Sequence, residues 1–446
     1  MKTLFILVHL TIVIYQLSLA QNIGIGTNIP AARLHIKGNA DTSQLVIEAH
    51  STQDNRRPLI RLRKSDGSDL LWIHSDDFTN VFIGKNAGRS NNAFGGAKGN
   101  TFTGSDAGYS NTTGFNNTAS GHEALRNNTS GTNNTATGRY ALLLNSFGGS
   151  NTATGSFTLT NNTTGIQNTA LGVSALYFNT NGNHNTAIGF EALVLNTTGV
   201  DNTSTGYGAL RNNSTGSYNA SLGYRSLYNT TASQYNTAVG YAAGDSYDNG
   251  YNNVFVGANT DVNGPGYYNV IAMGQGTIVG AVSTARFGNS ATVSYGGWAN
   301  WTNVSDGRYK KNVQENVPGL SFIMKLRPVT YNLMAAKLSK DLGEYYKETG
   351  KQMQKVLAEK EKIIQSGFVA QEVEAAAKEL GYNFSGIDKP QNDKGQYGLR
   401  YAEFVVPLVK AVQELNLKMV EFENLKMENA AMKKQLTEII ALLKNK

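Results

Sequence analysis

The residue types able to do chemistry crowd into one short stretch, Ser305-Asp306-Gly307-Arg308-Tyr309-Lys310-Lys311-Asn312. A serine hydroxyl is a poor nucleophile until a neighbouring group takes its proton, and histidine is the usual partner. All six histidines lie at or before His184, so none is local to this stretch. Lys310 and Lys311 are the nearby bases, and a lysine serves only where burial or a cation such as Arg308 lowers its pKa. A Ser-Lys dyad is the economical reading, with Asp306 and Glu372 able to orient Arg308 or the lysine. The plain alternative is that Ser305-Asp306 starts a turn and the lysines are solvated.

The elements that must hold this stretch are a repeat upstream and a helical pattern downstream. Asn-Thr-Ala-x-Gly or a close variant recurs with its Asn at Asn100, Asn117, Asn134, Asn151, Asn168, Asn185, Asn202, Asn219, Asn236 and Asn253, every step 17 residues. A glycine stands four positions after each Asn, and Leu125, Leu142, Leu159, Leu176, Leu193, Leu210 and Leu227 stand eight after. Within a copy, Thr186 and Ile188 alternate with the small Ala187, which fits a short strand. A glycine and a run such as Asn196-Thr197-Thr198-Gly199 then turn the chain. So small a unit cannot bury its own apolar face, so the copies stack, Leu on Leu and Asn on Asn, as a mainly β rod (β-roll or β-solenoid) over residues 80–300. At the usual strand spacing the ten coils rise roughly 48 Å. With no cysteine to brace it, the rod is expected to hide its leucines by wrapping three identical chains together.

Residues 1–20 carry Lys2, an apolar run from Leu4 to Ile14 and a Ser18-Leu19-Ala20 end, the form of a secretory signal peptide. The run is shorter than the ~20 residues of a spanning helix, so no membrane span is expected after signal removal. Residues 21–79 read as an N-terminal β region, with strands at 22–27, 33–36, 45–47, 59–62 and 71–73 and a turn at Pro30. Over residues 401–446 the period changes. Leu408, Val412, Leu415, Met419 and Phe422 alternate steps of four and three, and after a three-residue slip Leu425, Asn429, Met432, Leu436, Ile439 and Leu443 continue them. This is a coiled-coil seam, on the order of 60 Å of helix, in which Asn429 would fix register.

Four motifs in order complete the C-terminal part: Ser305 to Asn312, Leu326-Arg327-Pro328-Val329-Thr330-Tyr331, Gly367-Phe368-Val369-Ala370-Gln371-Glu372-Val373, and Tyr401-Ala402-Glu403-Phe404 with Leu408-Val409-Lys410-Ala411. This set resembles the intramolecular chaperone, or auto-processing peptidase, domain of endosialidase-type phage tailspikes and related fibres. The resemblance implies an α+β chaperone domain over residues 301–400, a homotrimer completed by a C-terminal trimeric coiled coil, and assembly of the upstream β-structure followed by self-cleavage. Carried onto this chain it makes Ser305 the nucleophile, Val304–Ser305 the scissile bond and Lys310 the base, a single-turnover serine endopeptidase acting on its own chain. The phrase from Asn236 to Gly244 resembles the head repeats of trimeric autotransporter adhesins, which implies β-rolls assembled in threes.

Charge and composition weigh against other classes. The net charge is +7, yet from Ser305 onward 23 basic and 18 acidic residues intermix, and no lysine lies between Lys98 and Lys310. That is a solvated mixed-charge face, so nucleic acid is not an expected partner. A glycan-cleaving tailspike needs a set pair of carboxylates, and Asp106, Glu123, Glu191, Asp201, Asp245, Asp248 and Asp261 are scattered over different repeat positions. The Gly-Gly-x-Gly-x-Asp calcium repeat is absent and the histidines lack ligand spacing, so neither metal nor other cofactor is expected. A secreted or cell-surface fibre remains, either adhesive toward a cell-surface glycan or protein ligand or a passive spacer, its tyrosines Tyr207, Tyr224 and Tyr241 stacked along the rod.

Overall fold

The computed structural model describes residues 23–25, 34–36, 45–48, 54–246, 249–298, 301–344, 350–392 and 395–444, so the expected signal peptide lies outside the described residues. Each 17-residue repeat contributes one three-residue strand, from Thr101–Thr103 through Val254–Val256, and the strands pair in parallel with like residues in register, Ala170 beside Ala153 and Ala187. The middle residue points inward and is fully buried, while its neighbours on the strand face outward. A second inward row comes from Ala107, Ala124, Ala141, Ala175, Ala192, Ala209 and Ala243, and a third from Leu125 to Leu227, all with no exposed surface. The polar corner is a ladder. Asn168 receives through its Oδ1 the backbone N–H of Asn185 (3.0 Å) and donates its Nδ2 to the Gly182 carbonyl (2.8 Å). Each amide of the Asn100 to Asn253 series is bonded in this way by its neighbouring coils, as burial of polar groups requires.

Two backbone choices make the coil close. The glycines from Gly104 to Gly257 take φ of 129–142°, and a Cβ on any from Gly104 to Gly240 would sit 2.2–2.6 Å from the next coil's glycine carbonyl oxygen. Less expected, the leucines from Leu125 to Leu227 adopt left-handed φ of 49–54°, a conformation that costs an L-residue roughly 1–2 kcal/mol. Full burial of the side chain, about 1.5–3 kcal/mol, offsets that cost, and the Leu176 N–H still finds the Ala192 carbonyl at 3.0 Å.

The solenoid reaches beyond the ten exact copies to about 12 coils. Val81–Ile83 joins the ladder through a longer coil, with Asn80 Oδ1 accepting from Asn100 N, and Ile271–Met273 and Ala285–Phe287 extend it at the other end. Where leucine gives way to Gly108, Phe102 replaces the strand alanine and fills the space: a Cβ on Gly108 would lie 2.5 Å from its ring. At the front, Ile60–Arg63 and Asp69–His74 form an antiparallel hairpin laid on Val81–Ile83. Ile23–Ile25 and Leu34–Ile36 pair in parallel, whereas Leu45-Val46-Ile47, expected as a strand, is exposed and irregular. Trimer wrapping is also not what hides the leucines, because a single chain covers them completely; stacked alanines make the coil narrow enough for one leucine per turn to fill it.

After the rod the chain forms a small α+β unit. Val329–Asn332 pairs antiparallel with Ile364–Gly367, and the unit also contains the helices Leu320–Ile323, Ala335–Leu342, Gly350–Glu361 and Ala370–Glu379. Phe322, Val373, Ala376, Ala377, Phe384 and Phe404 make its core, Phe404 lying past residue 400. One 3-10 turn, Tyr401–Phe404, leads into the 40-residue helix Val405–Lys444. Its first turns pack on Leu320–Ile323, where Glu414 Oε2 accepts the Leu320 N–H at 2.7 Å. The rest stands clear of the described chain with Leu415, Met419, Phe422, Leu425, Met432, Leu436, Ile439 and Leu443 all more than half exposed.

Candidate functional site

Ser305 and Lys310 flank a single turn of 3-10 helix, Gly307–Tyr309. Asp306 caps it: its Oδ1 accepts the Arg308 N–H at 2.9 Å and its Oδ2 takes Arg308 Nε and a terminal guanidinium nitrogen at 2.9 and 2.6 Å. Gly307 and the cap favour this tight turn, as an Asx side chain bonding two residues ahead usually does. The turn folds the chain back so that Lys310 Nζ donates to Ser305 Oγ at 2.8 Å. The Arg308 guanidinium holds the Asp306 carboxyl below the usual carboxylate range, and the carboxylate raises the arginine in return.

The segment is open to water. Val304 and Tyr309 are largely exposed and Ser305 and Lys310 are exposed with them. Among the described residues, no hydrogen bond or ion pair ties 305–312 to the rest of the chain. The sequence motifs divide accordingly. Glu372 is not beside Arg308 or the lysine; Arg327 takes it in a two-pronged ion pair (3.1 and 2.5 Å) that lowers its pKa and joins the second motif to the third. Tyr401 OH accepts the Phe368 N–H at 3.2 Å, and Phe368 stacks on Phe404 at 5.3 Å, joining the third to the fourth. Three motifs therefore build the domain's body, and the first presents the Ser-Lys pair outside it.

On the rod, Phe190, Tyr207, Tyr224 and Tyr241 stack at 5.2 Å with nearly parallel planes. Their faces cover one another and leave edges to solvent. The scattered acids are drawn into local pairs, Glu191 to Arg211 at 2.6 Å and Asp201 to His184 at 3.1 Å. Asp245 and Asp261, sixteen residues apart and not recognised as neighbours from spacing, come close enough to repel. Asp261 is 7% exposed and both oxygens accept backbone N–H groups, from Ser246 at 2.9 Å and Val262 at 2.8 Å. Desolvation pushes its pKa up to about 6. Held from both sides, this carboxylate is a structural bracket and not a group that reaches substrate. Among the described residues no cluster of three or more His, Asp or Glu side chains is arranged to hold a metal ion, and no helix is long and apolar enough to cross a membrane.

Residues 305–382 match the family described as chaperone of endosialidase, and the match opens at Ser305 itself. No curated protein and no solved structure is found to match the chain. The segment after the rod thus carries a chaperone-of-endosialidase domain, as the motif order leads one to expect, and the pairing of that domain with a β-solenoid fits a protein of the fibre or tailspike type.

Proposed function

We propose that this chain is a secreted fibre protein whose C-terminal domain assembles three copies and then cuts itself from the rod at Val304–Ser305. The observation that carries the reading is the 2.8 Å contact of Lys310 Nζ with Ser305 Oγ at the first residue of the family match. In the reaction, Ser305 Oγ attacks the Val304 carbonyl carbon through a five-membered ring, and the acyl group passes from nitrogen to oxygen. Lys310, when neutral, accepts the hydroxyl proton and returns it to the departing Ser305 amine. Water then hydrolyses the ester, leaving a Val304 carboxylate and a free Ser305 amine.

The exposed setting favours a step that follows assembly. In the single chain the lysine donates to the serine, and only a desolvated or cation-flanked lysine gives up its own proton readily. Trp298, Trp301 and Val304 are 87% exposed or more, and the outer helix presents an apolar seam of coiled-coil spacing. In this reading, assembly through that seam supplies the desolvation that the lysine needs.

The test is mass spectrometry of the folded protein: two products ending at Val304 and beginning at Ser305 are expected, and one uncut chain from Ser305→Ala and from Lys310→Arg, both still oligomeric. An uncut wild-type chain after complete folding would reduce the domain to an assembly module.

A further inference from the structure

Rod and domain are joined twice. The covalent link is the exposed stretch around Trp298, Trp301 and Val304. The second junction passes through space and is buried. Glu344, just past the helix Ala335–Leu342, accepts the Ser290 N–H at 2.9 Å and the Ser290 hydroxyl in a shorter contact. Lys360, near the end of the helix Gly350–Glu361, donates Nζ to the carbonyl oxygens of Ser290 and Thr292, each at 2.6 Å. Ser290, Glu344 and Lys360 are 5%, 8% and 9% exposed. Burial lowers the Lys360 pKa, and the nearby Glu344 charge opposes that shift. Across the last coils Asn392 Nδ2 donates to Tyr267 OH at 2.6 Å, and Gln391 Oε1 accepts the Val282 N–H at 3.2 Å.

Most of the groups gripped on the rod side are main-chain atoms: N–H and carbonyl of Ser290, carbonyl of Thr292, N–H of Val282. They converge only when the last coils have folded, so the socket reads chiefly the finished shape of the rod end, the Ser290 and Tyr267 hydroxyls being the side-chain groups it also grips. Two charged groups nine-tenths removed from water are held there by charge-assisted hydrogen bonds, the stronger kind, and the exposed link contributes nothing to them.

We propose that Glu344, Lys360, Gln391 and Asn392 form a docking socket for the terminal coil of the rod, so that the domain stays bound to the rod after the polypeptide between them is severed. The setting rests on the self-cleavage proposed above; the geometry does not.

To separate the two, a site-specific protease sequence is inserted between Asn303 and Val304 in the full-length Ser305→Ala chain, which is then folded, nicked and passed over a sizing column in increasing urea. Co-elution of the two pieces is expected without urea, with the retained fraction in Lys360→Met or Glu344→Gln falling by roughly tenfold or more at urea where the parent holds. Pieces of the nicked parent that separate in plain buffer overturn the proposal, as do variants that hold as firmly as the parent. Should neither variant fold by circular dichroism, the Gln391→Ala/Asn392→Ala pair replaces them with the same reading. Because the nick is external, failure of wild-type self-cleavage leaves the result intact.

Discussion

At the scale of single residues, the Ser305–Lys310 contact depends on a turn of only three residues, and the five-residue spacing is what lets the lysine fold back onto the hydroxyl. Asp261 is a residue whose neutral form the fold prefers, since its folded pKa of about 6 stands above the ordinary carboxylate value. Between those two values the folded state holds more protons at this group than the unfolded one, so its contribution to stability is fully present below pH ~4 and falls as pH rises to ~6, by on the order of 2–3 kcal/mol. Thermal melts of the rod across that window should show a negative slope with pH, flattened in Asp261→Asn. A rising slope unaffected by the substitution would contradict the assignment.

At the scale of elements, the coil is specified by glycine, asparagine and leucine in fixed places. Gly189→Ala would drive a Cβ to 2.4 Å from the Gly206 carbonyl oxygen at a backbone φ of 132°, and should lower the melting temperature more than Leu176→Ala, for which loss of a fully buried side chain predicts about 2–5 kcal/mol. Equal melts for Gly189→Ala and the parent would mean the coils can spread. Most of the rod was legible because each repeat position does one job: the Asn100 to Asn253 series is the ladder and the Leu125 to Leu227 series the core. The front and rear coils escaped the exact motif. Asn80 sits 20 residues ahead of Asn100, Val270 stands where the next ladder Asn would be, and Phe102 with Gly108 exchanges volume between two positions that no single-column repeat displays. Left-handed leucines were likewise invisible, since side-chain type argues against them. In the C-terminal unit, local residue types narrowed the bases near Ser305 to Lys310 and Lys311, and the family resemblance chose Lys310; neither told that Glu372 belongs to Arg327, 45 residues away, nor gave the socket, whose partners are separated by 54 and 70 residues.

At the scale of the whole molecule, the self-sufficient rod core leaves the terminal helix as the element that most needs partners. Full-length protein should sediment with the mass of three chains, and a chain ended after Glu414, which keeps the packed first turns but loses the exposed seam, should sediment with the mass of one. A truncated chain that remains trimeric would move the contacts onto the rod. The rod's two ends are unlike. Its front edge is folded over by the antiparallel hairpin, whereas its rear rung, Ala285–Phe287, is the last of a one-way parallel stack. An uncovered final rung offers the same pattern that each coil uses to receive its successor. A fibre stripped of its C-terminal piece would therefore be a seed as well as a product, inviting stray chains to continue it tip to tip unless something stays in place over that edge.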